Sequence, residues 1–169
     1  MAALAHAPPQ LRRQVGLDQL LQRAQSHLIG SPRQALSAAS QAVSVADSGG
    51  DRENQAAARQ VRGDAHRLLG QHEAALEDYA RAGDLYRSLQ KTADAARTDA
   101  SAVDSLRCLG RATEALRLAA RARRVFHRLG EELRSAVLDE IVGLVYFQQN
   151  DYQRALRLFD RARPAGPHK

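Results

Sequence analysis

The sequence has few of the residues that form cross-links, stacking platforms or membrane spans. Of its 169 residues one is cysteine and none is tryptophan, and aromatic residues make up 4%. Because Cys108 has no second cysteine to join, neither an intramolecular disulfide nor a cysteine-based zinc site can form within the chain. No apolar run approaches the roughly 18 residues that cross a bilayer, and the N-terminus lacks the charged start and apolar core of a secretory signal. These absences predict a cytoplasmic protein without a membrane segment.

The residues that are abundant favour helices. Alanine, leucine, glutamine and arginine dominate the chain, and all four are strong helix formers. Four of the five prolines lie near the ends, and the fifth, Pro32, follows Ser31 in the order that begins a helix. The composition therefore predicts helix almost throughout.

A repeat of 40 residues organises the sequence. Glycine or asparagine comes five residues before each alanine–leucine pair, and both residue types end helices in the left-handed conformation. A further column holds Gly63 and Gly143, with Val103 between them. Small residues at these spacings predict helices that approach one another closely. The recurring pairs are Ala35-Leu36, Ala75-Leu76, Ala115-Leu116 and Ala155-Leu156, preceded by Gly30, Gly70, Gly110 and Asn150.

Short breaks between the helical segments predict antiparallel hairpins. Eight helices in four hairpins would stack into an all-α, right-handed superhelical solenoid. An N-terminal extension at 1–15 and a short tail at 164–169 flank the repeats. The predicted repeat units span residues 16–55, 56–95, 96–135 and 136–163.

Two segments, 63–82 and 142–162, resemble tetratricopeptide repeats (TPR). The first has Gly63 and Tyr79 in the TPR places, and the second has Gly143 and Phe159. The resemblance extends over residues 16–163. Because the usual TPR has about 34 residues, the chain resembles a long-repeat subclass. Residues 123–139 and 152–163 are most similar to the helical arms of bacterial CHAT-domain proteins. A HEAT-type array, whose period is also near 40, is the competing fold, and the turn glycines and paired alanines favour TPR.

The resemblance implies a concave groove, lined by the first helix of each hairpin, that holds a protein or peptide. A chaperone-tail clamp of lysine and asparagine is not expected, since the columns hold aspartate and alanine. A groove of mixed charge that becomes apolar toward its end predicts a partner with charged and hydrophobic contacts. The function expected is a binding scaffold, the regulatory arm of a larger bacterial assembly. By register, the groove-facing residues would be Gln60, Asp64, Arg67, Arg97, Asp104, Arg107, Glu140, Leu144 and Phe147.

The net charge of +6 is concentrated in the third unit, where nine basic residues face five acidic ones between 96 and 135. Arg117, Arg121, Arg124 and Arg128 form a stripe at helical spacing. The favoured interpretation is a solvated outer face whose arginine stems cover apolar surface. The alternative is a patch for nucleic acid or an acidic partner. Nucleic acid is the less favoured partner, because no aromatic residues are interleaved for base stacking.

No set of residues suggests catalysis. The six histidines form no HExxH-like pair and no cluster with cysteine, and there is no phosphate-binding glycine loop. We therefore predict that the chain is not an enzyme and holds neither a metal nor a cofactor.

The last predicted helix carries Leu156 and Phe159, which would need a polar cap. Two explanations stay open: the chain continues into a longer array, or it self-associates end to end through residues 152–163.

Overall fold

The computed structural model describes residues 8–163, and in this range the chain forms eight α-helices. The prediction of an all-α fold built from four helix hairpins is confirmed. The chain divides into two compact units, Met1–Leu89 and Gln90–Lys169. The helices are α1 (Pro9–His27), α2 (Pro32–Gly49), α3 (Arg52–Leu68), α4 (His72–Ser88), α5 (Thr92–Cys108), α6 (Ala112–Leu129), α7 (Glu132–Gln148) and α8 (Tyr152–Ala162).

The first helix begins at Pro9, seven residues before the predicted start of the first repeat at residue 16. Pro8 and Pro9 occupy the helix entrance, where the missing N–H of proline has no intrahelical partner to lose. The predicted tail at 164–169 lies outside the described residues.

Each unit is built from consecutive neighbours. In the first unit α1 packs on α2, α2 on α3 and α3 on α4, while α1 also contacts α3. The buried side chains of this unit are mostly alanine, in clusters around Leu17 and Val61. In the second unit α5, α6, α7 and α8 pack in sequence, and α5 also contacts α7. Its fully buried side chains are larger and include Phe126 and Leu138.

The turns inside the last three hairpins follow the predicted column. Gly70, Gly110 and Asn150 all have positive φ, between 62° and 73°. The prediction was wrong at Gly30, which is not among the residues with positive φ. There the chain leaves α1 through a turn in which the Ser31 N–H donates to the carbonyl of His27 at 2.9 Å.

The glycine column on the first helices receives an aromatic ring from the second helix of the same hairpin. A Cβ atom placed on Gly143 would lie 2.5 Å from Cε1 of Phe159. A Cβ atom placed on Gly63 would lie 2.8 Å from Cε1 of Tyr79. These glycines therefore make room for a side chain, in addition to letting two helix backbones approach.

The third hairpin fills the same space in the opposite way. Val103 stands at the glycine position and Ala119 at the aromatic position, and both side chains are buried. The larger residue has moved from the second helix to the first. The columns thus vary together, and volume at the contact is kept.

Candidate binding surfaces

The groove-predicted residues of the first unit, Gln60, Asp64 and Arg67, are half-buried on α3. The hydroxyl of Tyr79 donates a hydrogen bond of 2.7 Å to Oδ1 of Asp64. Burial raises the pKa of Tyr79 well above its ordinary range, and the Asp64 carboxylate raises it further. Asp64 therefore holds α3 to α4, so its carboxylate is partly committed to the hairpin itself.

In the second unit the groove-predicted Arg97 reaches the next hairpin. Its guanidinium donates to Asp94 at 2.9 Å and to Glu131 at 2.8 Å. The hydrogen bond to Glu131 raises the pKa of Arg97, while burial lowers it. Because Glu131 immediately precedes α7, Arg97 ties together the first helices of two successive hairpins. This column therefore lies against a neighbouring repeat.

The other two groove-predicted residues of α5 pair with each other. Arg107 donates to Oδ1 of Asp104 from Nη2 at 2.7 Å and from Nε at 2.9 Å. Both side chains are about four-fifths covered. The pair is neutral as a whole, so it offers a partner little net charge.

The groove-predicted residues of α7 are open to solvent and mostly apolar. Leu144 is 38% exposed and Phe147 is 54% exposed, and Glu140 lies exposed on the same face. The Phe147 ring meets the Tyr152 ring edge-on, with centroids 5.4 Å apart, so the exposed face of α7 continues onto α8. We call this area the apolar surface. Its exposed hydrophobic residues are Leu133, Val137, Leu144, Phe147, Tyr152 and Leu156.

The arginine stripe on α6 is not uniform. Arg117, Arg124 and Arg128 are exposed. Arg121 instead forms two hydrogen bonds of 2.6 Å with the carboxylate of Asp99, which is buried. Arg121 thus joins α6 to α5, and the remaining three arginines face solvent.

A second buried ion pair repeats the first one 40 residues later. Nε of Arg161 donates to Asp139 at 2.6 Å, and Arg123 donates to the other oxygen of that carboxylate. The hydrogen bond to Asp139 raises the pKa of Arg161, and burial opposes it. Asp99 and Asp139 stand in one column of the 40-residue register, and Arg121 and Arg161 stand in another. Our sequence analysis weighed only alanine and glycine columns, and comparing charged columns would have found these pairs.

Among residues 8–163 no group of three or more histidine, cysteine, aspartate or glutamate side chains is arranged to hold a metal ion. Cys108 is exposed, and Nη2 of Arg107 lies 3.2 Å from its Sγ. No helix in this described range is both long and apolar enough to cross a membrane.

Comparison with known proteins gives one family and one fold. The family model described as SNAP, soluble NSF attachment protein, matches residues 19–165. No curated protein matches the sequence. The crystal structure of BtubC (BKLC) from P. vanneervenii is similar, with a TM-score of 0.64 at 15% sequence identity. That match covers 96% of this chain and 78% of the BtubC chain. At this identity the likeness shows the fold alone.

Proposed function

Because this chain belongs to the soluble NSF attachment protein family, we propose that it is a scaffold that binds a protein or peptide partner. The partner would lie along the first helices, in the concave groove implied by the repeat fold, and would end on the apolar surface. The finer expectations form part of the same proposal. They are the TPR arm of a CHAT-type bacterial assembly, a cytoplasmic location and the absence of enzymatic activity.

One observation carries the proposal, the exposure of Leu144 and Phe147 on α7. The charged groove-predicted residues pair within the fold, as Asp104 does with Arg107 and Arg97 with Glu131. Leu144 and Phe147 have no such internal partner for their exposed area. Aromatic and aliphatic side chains on an exposed patch are the usual anchors of protein interfaces. Glu140, on the same face, would add a charged contact for the partner.

The position of the apolar surface in the repeat also bears on its occupant. Val137 stands 40 residues after Arg97, at the place on α7 that corresponds to the Arg97 position on α5. The Arg97 side chain meets the start of the next first helix. A helix presented by a partner, by a further hairpin or by a second copy would therefore meet Val137 in the same way. The second copy is the end-to-end association expected through residues 152–163.

The experiment compares two surface variants of the full chain. Leu144→Gln combined with Phe147→Gln removes the two anchors, and both sites are exposed, so the helices should remain folded. Ile29→Gln is the matched control, because Ile29 is 96% exposed and lies outside the helices. We expect the double variant to lose captured partner proteins that the wild type and Ile29→Gln retain. Light scattering of each sample then separates a foreign partner from self-association.

Capture that is identical for the double variant and the control would contradict the groove proposal. A wild-type dimer that becomes a monomer only in the double variant would identify the occupant as a second copy. Both outcomes are read on the same purified samples, with circular dichroism as the check on folding.

A second candidate function rests on the stripe. Arg117, Arg124 and Arg128 are exposed on one face of α6. They would attract nucleic acid or an acidic partner. Binding driven by phosphate contacts weakens steeply as salt rises. If Arg124→Glu with Arg128→Glu leaves the binding of single-stranded DNA and its salt dependence unchanged, the stripe has no such role.

A further inference from the structure

A cleft runs between the second helices of the last two hairpins, α6 and α8. Its volume is about 350 Å³, which is within the lower range of ligand sites in proteins. Its apolar lining comes from three helices, with Ala119 on α6, Val142 on α7 and Leu158 on α8. Alanine at 119 and 120 keeps α6 flat at this point. We call this region the arginine cleft, after the residues on its rim.

The charges around the arginine cleft are strongly one-sided. Helix α6 carries five arginines against one glutamate, and α8 carries three arginines against one aspartate. Four of these guanidinium groups line the cleft, and two carboxylates oppose them. Asp139 is buried and is shared by two arginines, and Asp151 lies 3.2 Å from a third. The four arginines are Arg123, Arg154, Arg157 and Arg161.

Arg157 is the least engaged of the four. It is exposed, and it forms no ion pair with another residue of the range 8–163. Arg154 lies with its guanidinium carbon 5.4 Å from the centroid of the Tyr146 ring. Its charge is therefore held at the cleft by a cation–π contact. The cleft thus presents fixed positive groups beside an apolar lining.

We propose that the arginine cleft binds an acidic peptide segment in which a hydrophobic side chain adjoins a carboxylate. Guanidinium groups bind carboxylates in a planar, two-bonded geometry, which suits the arginines on the rim. The lining of Ala119, Val142 and Leu158 would receive the hydrophobic side chain. Nucleic acid fits less well, because the Tyr146 ring is covered by Arg154 and offers no open face for base stacking.

This site contains none of the groove-predicted residues. The inference therefore goes beyond the proposed function, and either can fail without the other. It also differs from the stripe, whose exposed members Arg124 and Arg128 do not line the cleft.

The test measures fluorescence anisotropy with a labelled peptide of alternating glutamate and leucine. A serine–leucine peptide of equal length and a single-stranded DNA serve as the other probes. Arg157→Glu reverses an unengaged charge, and Ala120→Tyr fills the cleft without changing any charge. Arg128→Glu is the matched control for net charge, because it makes the same reversal outside the cleft. All three positions are exposed, and circular dichroism checks that each variant is folded.

We expect the glutamate–leucine peptide to bind and the serine–leucine peptide not to bind. Arg157→Glu and Ala120→Tyr should each weaken binding about tenfold, whereas Arg128→Glu should change it less than about twofold. The proposal is overturned if the wild type does not bind the acidic peptide, or if Arg157→Glu and Ala120→Tyr bind it as tightly as the wild type. An equal loss in Arg128→Glu, or tighter binding of the DNA, would also overturn it in favour of general polyanion attraction.

Discussion

Placing a side chain on Gly143 should force the Phe159 ring out of its place on α7. An added Cβ atom would lie 2.5 Å from Cε1, 2.8 Å from Cδ1 and 3.1 Å from Cζ of that ring. Overpacking of this kind costs about 1–3 kcal/mol. Replacing a helical glycine returns about 0.5–1 kcal/mol of backbone entropy. We therefore expect Gly143→Ala to lower the free energy of unfolding by about 1 kcal/mol, and Gly143→Val by about 2 kcal/mol.

The third hairpin supplies the compensating change, since it pairs Val103 with Ala119. Phe159→Ala alone should cost about 2 kcal/mol, because the ring is only half-buried. Combining Gly143→Val with Phe159→Ala copies the pair of the third hairpin into the fourth. The double variant should then lose about 2 kcal/mol less than the sum of the two single losses.

Urea unfolding followed by circular dichroism gives these free energies, and hydrogen exchange shows whether the loss is local to α7 and α8. Gly16→Ala is the control, because nothing lies within 4 Å of a Cβ atom at that helical glycine. It should stabilise the protein by about 0.5–1 kcal/mol. Strictly additive losses in the double variant would refute the view that the two columns exchange volume.

Three further predictions concern polar contacts. Asp139→Ala leaves two arginines without their shared carboxylate, and the free energy of unfolding should fall by about 1–2 kcal/mol, since both arginines stay partly solvated. Thermal unfolding of Asp139→Ala beside the exposed-site variant Asp160→Ala measures this, and equal melting temperatures would contradict it. Tyr79 has a raised pKa, so the folded state keeps a proton that the unfolded state loses above about pH 10. Its contribution should be complete below that pH and should decline above it by up to about 1.4 kcal/mol per pH unit. Urea midpoints at rising pH should therefore fall less steeply in Tyr79→Phe than in the wild type, and parallel curves would refute this. Asp51 caps α3 by accepting from the N–H groups of Glu53 and Asn54, so Asp51→Ala should cost about 1 kcal/mol while Asp51→Ser costs little. If the two variants unfold at the same urea concentration, the cap contributes no measurable stability.

The helices could be predicted because the 40-residue register repeats local rules. Turn residues such as Gly70 and Asn150 end helices through backbone conformation, which depends on the residue itself. The early start of α1 was missed because Gly16 and the two prolines count against helix, whereas packing of the amphipathic face extends the helix to Pro9. Local propensity is a weak guide where tertiary contacts decide.

The candidate site was predictable as a set of positions but not as a set of partners. The register placed Arg97 on the groove face, yet a small rotation of α5 decides whether its guanidinium meets solvent or Glu131. The same holds for Arg121, whose stripe position on α6 gave no sign of the buried Asp99 on α5. Distances between helices are set by packing, and the sequence records them only through paired columns.

The alanine-rich interior of the first unit has a calorimetric consequence. A buried methyl group hides less apolar area from water than the side chains of Phe126 and Leu138 hide in the second unit. The heat-capacity increase on unfolding grows with the apolar area that becomes exposed. Per residue, the first unit should therefore have the smaller heat-capacity increment and the flatter curve of stability against temperature. Its helices would keep a modest stability over a wide thermal range, whereas the second unit would have a more sharply peaked optimum.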